Sequence, residues 1–212
     1  MTTAAGPAGP FGRSTSVVES TTLVGSYVSL TFDDGPHPVH TPHLLTVLRG
    51  HGVTAVFCLR GDQALAHPEI VRAIVADGHL LGNHGMHHDD MSDWPDDRVR
   101  DDLARTSAAI RAAAPGASVP FFRAPYGRWG RTPEVASGLG MRALGWRLSA
   151  GDWERPGTDE LVRRLTTGLT PGAVVLLHDG GGDRGQTVAA VDRLIPRLAA
   201  HGWHFTTPAR RI

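Results

Sequence analysis

The 212 residues have a mass of 22.6 kDa, a length that predicts one domain able to fold without disulfides or a structural metal. Apolar residues make up 41% of the chain and charged residues 20%, which excludes a disordered protein. Because 21 basic residues balance 21 acidic ones, we expect no binding of nucleic acid or of an acidic membrane surface. The absence of lysine also excludes a lysine nucleophile, a Schiff base and a phosphate-loop lysine.

Residues 1–20 are rich in Thr, Ala, Gly, Ser and Pro and are predicted to form a flexible arm before a single domain at residues 21–212. They lack the charged start and the apolar stretch of about 7–15 residues found in secretory signals. The chain as it stands is therefore expected to stay in the cytoplasm, whereas a leader further upstream would make it a secreted protein. No apolar run approaches the roughly 18 residues of a membrane span, so none is predicted.

Behind the arm, short apolar runs alternate with stretches of helical periodicity. The predicted strands are residues 27–32, 53–59, 79–82, 120–122, 141–144, 173–177 and 203–206. The predicted helices are residues 42–51, 68–77, 95–114, 132–139, 158–169 and 186–200. This alternation is typical of a parallel sheet with crossover helices. Its roughly seven or eight units are too many for a small open sheet and short for a complete eight-unit barrel.

The single cysteine, Cys58, lies in the apolar run at residues 53–59. One cysteine excludes an intrachain disulfide. Since free cysteine is commonly buried, we predict a core residue rather than a catalytic thiol.

Unusual polar residues follow the carboxyl ends of the predicted strands. They are Asp33 and Asp34 after the first strand; Asn83, His84, His87 and His88 after the third; Arg123 after the fourth; Asp152 and Trp153 after the fifth; and His178 and Asp179 after the strand at residues 173–177. In parallel α/β folds these strand ends meet at one rim, where ligands bind. Residues far apart in the chain can therefore share one site.

Two carboxylates, Asp33 and Asp34, stand where the first strand turns. Because neighbouring residues of an extended strand point to opposite sides, one carboxylate can hold a metal while the other stays free as a base. A plain turn is the alternative, since Asp, Gly and Pro are common turn residues.

Three histidines, His84, His87 and His88, lie close together in the sequence. On a helical turn, the spacing of His84 and His88 would put both imidazoles on one side, able to bind one ion; His87 is a competing partner. Two histidines and a carboxylate form a recurrent catalytic zinc set with open positions for water and substrate. The same ligand types suit cobalt, nickel or manganese.

Arg123 can form a forked pair with a carboxylate, although a surface arginine is the alternative for this residue considered alone. His178 ends an apolar strand and can act as a proton donor. The glycine-rich run at residues 180–185 lacks the lysine and the helix-start spacing of a phosphate loop. We predict that this run is a mobile loop at the rim.

Five motifs, taken in order, resemble those of the polysaccharide deacetylases of carbohydrate esterase family 4, the NodB homology domain, over roughly residues 27–207. They are Thr31-Phe32-Asp33-Asp34-Gly35-Pro36, His84-Gly85-Met86-His87-His88, Arg123-Ala124-Pro125-Tyr126, Ser149-Ala150-Gly151-Asp152-Trp153 and Leu176-Leu177-His178. The family's second motif, His-Ser/Thr-x-x-His, selects the outer two histidines here. Gly85 stands in place of its hydroxyl residue, and Ser149 in place of the first Asp of the family's fourth motif, Asp-x-x-Asp-Trp.

The resemblance implies an α/β fold, a distorted (β/α) barrel of about seven units that is similar to a TIM barrel but smaller. It also implies Asp34, His84 and His88 as ligands of a divalent metal, with zinc as the first choice and cobalt, nickel or manganese as alternatives. The change at Gly85 is expected to affect only the support of His84 by its surroundings.

The resemblance assigns the proton transfers as well. It implies Asp33 as the general base, oriented by Arg123, and His178 as the general acid, oriented by Asp152. Because Asp152 is present, activity is expected to survive the change at Ser149, with altered substrate preference as an open alternative.

Three further residues would contact the substrate by resemblance. The backbone N–H of Tyr126 would help to hold the oxyanion, and Trp153 and Leu176 would shape the acyl pocket. The partner is therefore expected to be a carbohydrate or a small N-acetylated molecule; the oligomeric state stays open.

The expected function is a metal-dependent hydrolase that removes N-acetyl groups from amino sugars of chitooligosaccharide, peptidoglycan or a related glycan, by metal-activated water with an Asp base and a His acid. One alternative is deacylation of a small intracellular N-acylated metabolite, which a short or closed groove would favour. Another is hydrolysis of O-acetyl esters on xylan. The non-enzyme alternative is an inactive carbohydrate-binding relative, which Ser149 favours and the complete set of proposed ligands and proton-transfer residues disfavours.

Overall fold

A computed structural model describes residues 16–23 and 25–208, and in it helices surround a parallel sheet. The strands are β1 (Tyr27–Asp33), β2 (Val56–Leu59), β3 (Leu80–Asn83), β4 (Phe121–Phe122), β5 (Arg142–Ala143), β6 (Leu148–Ser149), β7 (Ala173–His178) and β8 (His204–Phe205). The helices are α1 (His40–Gly50), α2 (Gly61–Ala66), α3 (Pro68–Ala76), α4 (Asp96–Ala113), α5 (Thr132–Gly138), α6 (Thr158–Gly168) and α7 (Gly185–Ala200).

The sheet follows the order β5-β4-β3-β2-β1-β7-β6, and β8 pairs with the first residues of β1. All of these strand pairs are parallel. Helical crossovers between parallel strands place every carboxyl end at the same rim. The predicted distorted (β/α) barrel is therefore confirmed, with seven strands in the main order and β1 between β2 and β7.

The core lies between the sheet and the helices that cover it. β7 is a nearly continuous apolar run because both of its faces are buried. β1 alternates apolar and polar residues, and its Ser29 and Thr31 are buried as well. Helix α6 buries Leu161, Val162 and Leu165, which recur at helical spacing. Cys58 is completely buried, and this burial raises the pKa of its thiol, so the predicted core position is confirmed. None of the helices in the described part of the chain is long and apolar enough to cross a membrane.

Two short elements were not predicted. Helix α2 has 6 residues and β6 has 2, lengths at which neither helical nor strand periodicity is recognisable. As a result, Asp152 and Trp153 follow the sixth strand, whereas the sequence placed them after the fifth. The predicted strand at residues 53–59 also shortens to β2.

Residues 1–15 of the predicted flexible arm lie outside the described residues. The remainder of that segment runs along the sheet. Val18 forms a parallel bridge with Leu144 and Ser20 an antiparallel bridge with Ala173. Val18 is only 8% exposed, so this segment packs against the domain through Val18.

Candidate active site

The carboxyl ends of four strands bring the predicted polar side chains to one rim. Asp33 is the last residue of β1, and His178 is the last residue of β7. His84 directly follows β3, and Arg123 directly follows β4. The expectation that separated residues share one rim is therefore confirmed.

Asp34, His84 and His88 offer ligand atoms that all lie within 4.8 Å of one another. Asp34 Oδ1 lies 3.6 Å from His84 Nε2 and 3.4 Å from His88 Nε2. This oxygen is buried and has no hydrogen-bond partner in the part of the chain that the structure describes. A buried carboxylate oxygen without a partner is costly, and a cation beside it would remove that cost. Two imidazoles and a carboxylate also match the donor set of catalytic zinc sites, so the residues fit a metal.

A loop, and not the predicted helical turn, brings the two histidines together. No helix includes residues 84–90. Gly85 has φ 73° and His88 has φ 64°, and this left-handed backbone reverses the chain direction locally. The rings of His84 and His88 thereby come to a centroid separation of 5.0 Å. The competing candidate, His87, lies outside the cluster, with its exposed ring 3.6 Å from Asp62 Oδ2.

A backbone carbonyl orients the ring of His84. Its Nδ1 lies 2.8 Å from the carbonyl oxygen of Arg123. Because a carbonyl can only accept, Nδ1 carries the proton and Nε2 keeps a free lone pair toward Asp34. The hydroxyl side chain that Gly85 lacks is therefore not needed for this hydrogen bond.

Arg123 is completely buried beside Asp33. Its Nη1 donates to Asp33 Oδ1 at 2.7 Å and to Thr31 Oγ1 at 2.9 Å. Its Nε and Nη2 donate to the carbonyls of Leu144 and Gly145 at 2.8 and 3.0 Å. A guanidinium held at three nitrogens fixes the carboxylate in one orientation. The alternative of a surface arginine is wrong.

Asp33 is charged and presents one oxygen to the cluster. Burial alone would raise the pKa of Asp33, but the charges of Arg123, His84 and His178 outweigh it and hold the pKa below its usual value. Arg123 is hydrogen-bonded to Oδ1 of Asp33, and the other oxygen of this carboxylate, Oδ2, lies 3.6 Å from His84 Nε2. This oxygen can accept a proton from a molecule bound at the cluster.

His178 and Asp152 form a second buried pair. His178 Nδ1 lies 2.8 Å from Asp152 Oδ1, and the backbone N–H of His178 donates to Oδ2 at 2.9 Å. Thr187 also donates to Oδ2, at 3.0 Å. Burial alone would lower the pKa of His178, but the hydrogen bond and charge of Asp152, with the charges of Asp33 and Asp34, raise it overall. With Nδ1 bonded to Asp152, Nε2 is the nitrogen that can give up a proton.

The three predicted substrate contacts lie beside these groups. Tyr126 is 65% exposed and its ring meets His88 edge-on, at a centroid distance of 4.4 Å. Trp153 is 47% exposed and its ring lies 5.4 Å from that of His178. Leu176 is buried on β7, two residues before His178 and hence on the same face of the strand. Their roles toward a substrate stay predictions.

Ser149 lies on β6 opposite Leu176 of β7. Its hydroxyl is buried without a hydrogen-bond partner among the described residues. Asp152 nevertheless keeps both of its bonds to His178. The departure from the family motif at position 149 therefore leaves the pair of His178 and Asp152 intact.

Sequence reasoning missed two polar residues that hold the site. Thr31 lies two residues before Asp33, and the period of a strand could have placed it on the same face; its hydroxyl also donates to the carbonyl of Val175 at 2.6 Å. Thr187 is 35 positions from Asp152, and no local pattern could have identified it.

Comparisons with known proteins agree with this geometry. A family model described as polysaccharide deacetylase matches residues 21–144. The chain is 42% identical over 187 residues to a chitooligosaccharide deacetylase of Sinorhizobium fredii, covering 83% of this chain and 87% of the relative. A solved peptidoglycan N-acetylglucosamine deacetylase is similar with a TM-score of 0.83 and 30% identity, covering 90% of this chain and 89% of the other.

A further solved structure, a pseudoenzyme of carbohydrate esterase family 4 from Bacillus anthracis, is similar with a TM-score of 0.79 and 29% identity, covering 85% of this chain and 63% of the other. The likeness to these relatives extends over most of the chain in both sequence and fold. The chain therefore belongs to the polysaccharide deacetylases of carbohydrate esterase family 4.

Proposed function

We propose that the protein hydrolyses the acetamido group of N-acetylglucosamine units in chitooligosaccharide-like or peptidoglycan glycans, releasing acetate and leaving a free amine. The observation that carries this proposal is one rim that holds the Arg123-bound carboxylate of Asp33, the Asp152-bound imidazole of His178 and the Asp34–His84–His88 cluster. The named activities of the chitooligosaccharide and peptidoglycan deacetylases to which the chain is similar support this substrate class.

The proposed cofactor is a divalent cation held by Asp34, His84 and His88, with zinc as the first choice and cobalt, nickel or manganese as alternatives. When bound, it would supply Lewis-acid chemistry, which lowers the pKa of water and polarises the acetyl carbonyl. The buried Oδ1 of Asp34, which has no hydrogen-bond partner among the described residues, supports this assignment.

In the proposed reaction, Asp33 Oδ2 takes a proton from the attacking water while the water oxygen bonds to the acetyl carbon. The backbone N–H of Tyr126 donates to the oxygen on which negative charge develops. His178 then gives its Nε2 proton to the nitrogen as the carbon–nitrogen bond breaks. Without this proton the nitrogen would have to leave as an amide anion, which is a very poor leaving group.

The remaining residues position these groups and shape the pocket. Arg123 keeps Asp33 charged and fixed, and Asp152 fixes the tautomer of His178. Leu176 and Trp153 flank His178 and would surround the methyl group of the acetyl with apolar surface.

The deciding experiment measures acetate release from N-acetylglucosamine, chitooligosaccharides, peptidoglycan and acetylated xylan, before and after chelation and with add-back of zinc, cobalt, nickel or manganese. We expect release from the N-acetylated glycans, loss with chelator and recovery with metal. Release from xylan alone would instead indicate an O-acetyl esterase, and release from monomeric N-acetylglucosamine alone a deacylase of a small metabolite.

Because one structural relative is a pseudoenzyme, turnover by the wild-type protein is the critical measurement. Sugar binding without acetate release at saturating metal would contradict the proposal and indicate a carbohydrate-binding protein. The Asp33→Asn variant serves as the control for acetate released by a contaminating enzyme.

A further inference from the structure

We propose that the loop after β7, residues 179–184, holds Asp34 in position and thereby sets the affinity of the site for its cation. This loop is called the seat loop below. The inference rests on the proposed metal site, and it concerns residues to which the proposed reaction assigns no role.

The backbone of the seat loop lies directly against the end of β1. The N–H groups of Asp179 and Gly180 both donate to the carbonyl oxygen of Asp33, at 3.1 and 3.3 Å. A Cβ atom added at Gly180 would clash with the carbonyl of Asp34, and one added at Gly181 would clash with Oδ2 of Asp34. Only glycine at these positions allows the loop to approach the ligand this closely.

The side chain of Asp179 fills the space next to Gly35, the residue after Asp34. Its carboxyl is completely buried, and Thr41 Oγ1 donates to its Oδ2 at 2.5 Å. A Cβ atom at Gly35 would clash with this carboxyl group. The buried carboxyl of Asp179 therefore packs directly against the turn that follows Asp34.

Arg184 holds the seat loop in this position. It is only 5% exposed, and its Nε and Nη2 donate to the carbonyls of Gly180 and Gly181 at 2.8 and 3.1 Å. The glycine-rich run that the sequence predicted as a mobile loop is thus tied at two carbonyls by a nearly buried cation.

Asp34 itself needs such support. Its φ is 72°, a left-handed conformation that is uncommon for a residue with a side chain and persists when the surroundings hold it. The contacts of Gly180 and Gly181 with its backbone and carboxylate supply that constraint. A ligand held in advance binds its ion more tightly than one that must be ordered on binding.

The test is a zinc titration of chelator-stripped Gly181→Ala, followed by calorimetry. The added methyl group should push the Asp34 carboxylate away and raise the Kd for zinc by about 10–100-fold. The matched control is Gly78→Ala. Gly78 has φ 79°, close to the 70° of Gly181, but no atom of residues 16–23 or 25–208 lies within 4 Å of an added Cβ. It carries the same backbone strain and should keep the wild-type Kd.

A second variant, Arg184→Gln, removes the bonds to both carbonyls without adding atoms and should raise the Kd for zinc by about tenfold. It tests the inference if Gly181→Ala fails to fold. Wild-type affinity in folded forms of both variants would overturn the inference and leave the metal site standing, as would an equal loss in Gly78→Ala. Failure of the wild-type protein to bind zinc would overturn the metal site itself.

Discussion

Asp33 and Asp34 are neighbours with different surroundings. One oxygen of Asp33 is bonded by Arg123, which keeps this carboxylate charged. Asp34 follows β1 in a left-handed conformation, and its Oδ1 lies beside two histidines without a hydrogen-bond partner in the described part of the chain. The same residue type can therefore serve as a base at one position and as a ligand at the next.

The first prediction concerns the removal of the proposed base alone. Asp33→Asn should lower kcat by about 10²–10⁴-fold, since the amide cannot take the proton of water. Zinc should still bind, because Asp34, His84 and His88 are unchanged. Acetate release and metal content are measured on the same sample, with the surface variant Asp192→Asn as the control. Turnover at the wild-type rate would remove Asp33 from the mechanism.

The second prediction concerns His178, the proposed acid. Asp152 holds the pKa of His178 above its usual value, so the protonated acid persists to higher pH. Asp152→Asn removes the charge, the pKa of His178 falls, and the basic limb of the kcat/KM profile should move to lower pH. The control is Asp192→Asn, because Asp192 also pairs with a histidine, His51, at 2.8 Å, but on the surface. An unmoved basic limb in Asp152→Asn would contradict the assignment of His178.

At the scale of elements, the segment at residues 16–21 closes a gap in the sheet. The N–H of Val18 donates to the carbonyl oxygen of Ala143 at 2.8 Å, and the N–H of Gly145 donates to the carbonyl oxygen of Val18 at 2.8 Å. Three residues later, the N–H of Thr21 donates to the carbonyl oxygen of Gly172 at 2.8 Å. The segment therefore connects the end of β5 with the start of β7, two strands that the main strand order keeps apart.

The third prediction tests whether this segment belongs to the core. Val18 is 8% exposed and packs in a cluster with Val56, Cys58, Phe121, Leu144 and Val174. Val18→Ala should lower the free energy of unfolding by about 2 kcal/mol, through lost apolar contact and a residual cavity. Val39→Ala is the matched control, since Val39 is 50% exposed. Equal denaturation midpoints for the two variants would show that the segment adds nothing to stability.

Elements differed in how far the sequence predicted them. Helix α4 extends over 18 residues with repeated helical spacing, and its predicted limits differ from the observed ones by one residue at each end. The two-residue β6 forms only because its residues Leu148 and Ser149 pair with Val175 and Leu176 of β7. Its existence depends on a neighbouring strand and not on its own residues, so no local pattern could reveal it.

At the scale of the whole molecule, the proposed metal site joins the end of β1 with the loop after β3 and should link cation binding to folding. The fourth prediction follows from this linkage. Zinc at 100 times its Kd should raise the free energy of unfolding by about 2.7 kcal/mol, which corresponds to a Tm increase of about 5–10 °C.

Thermal unfolding of the wild-type protein with chelator and with added zinc measures this shift. Asp34→Ala should show no zinc-dependent change in Tm, whatever its own stability. A wild-type Tm that is the same with and without zinc would contradict a specific site.

Local patterns determined much of this protein from the sequence alone. The order of apolar runs and helical stretches predicted the parallel fold, and five short motifs identified the family. These signals are readable because strand and helix periodicity, and the residue types needed for chemistry, are written within a few neighbouring positions.

Only the tertiary structure decided how the rim is assembled. A loop conformation brings His88, and not His87, next to His84. All three guanidinium nitrogens of Arg123 form hydrogen bonds. Thr187 and the seat loop hold Asp152 and the end of β1 in place. These contacts depend on strand register and on the meeting of residues far apart in the chain, such as Asp33 and Gly180. Such register is set by the packing of the entire core and has no counterpart in any short stretch of sequence.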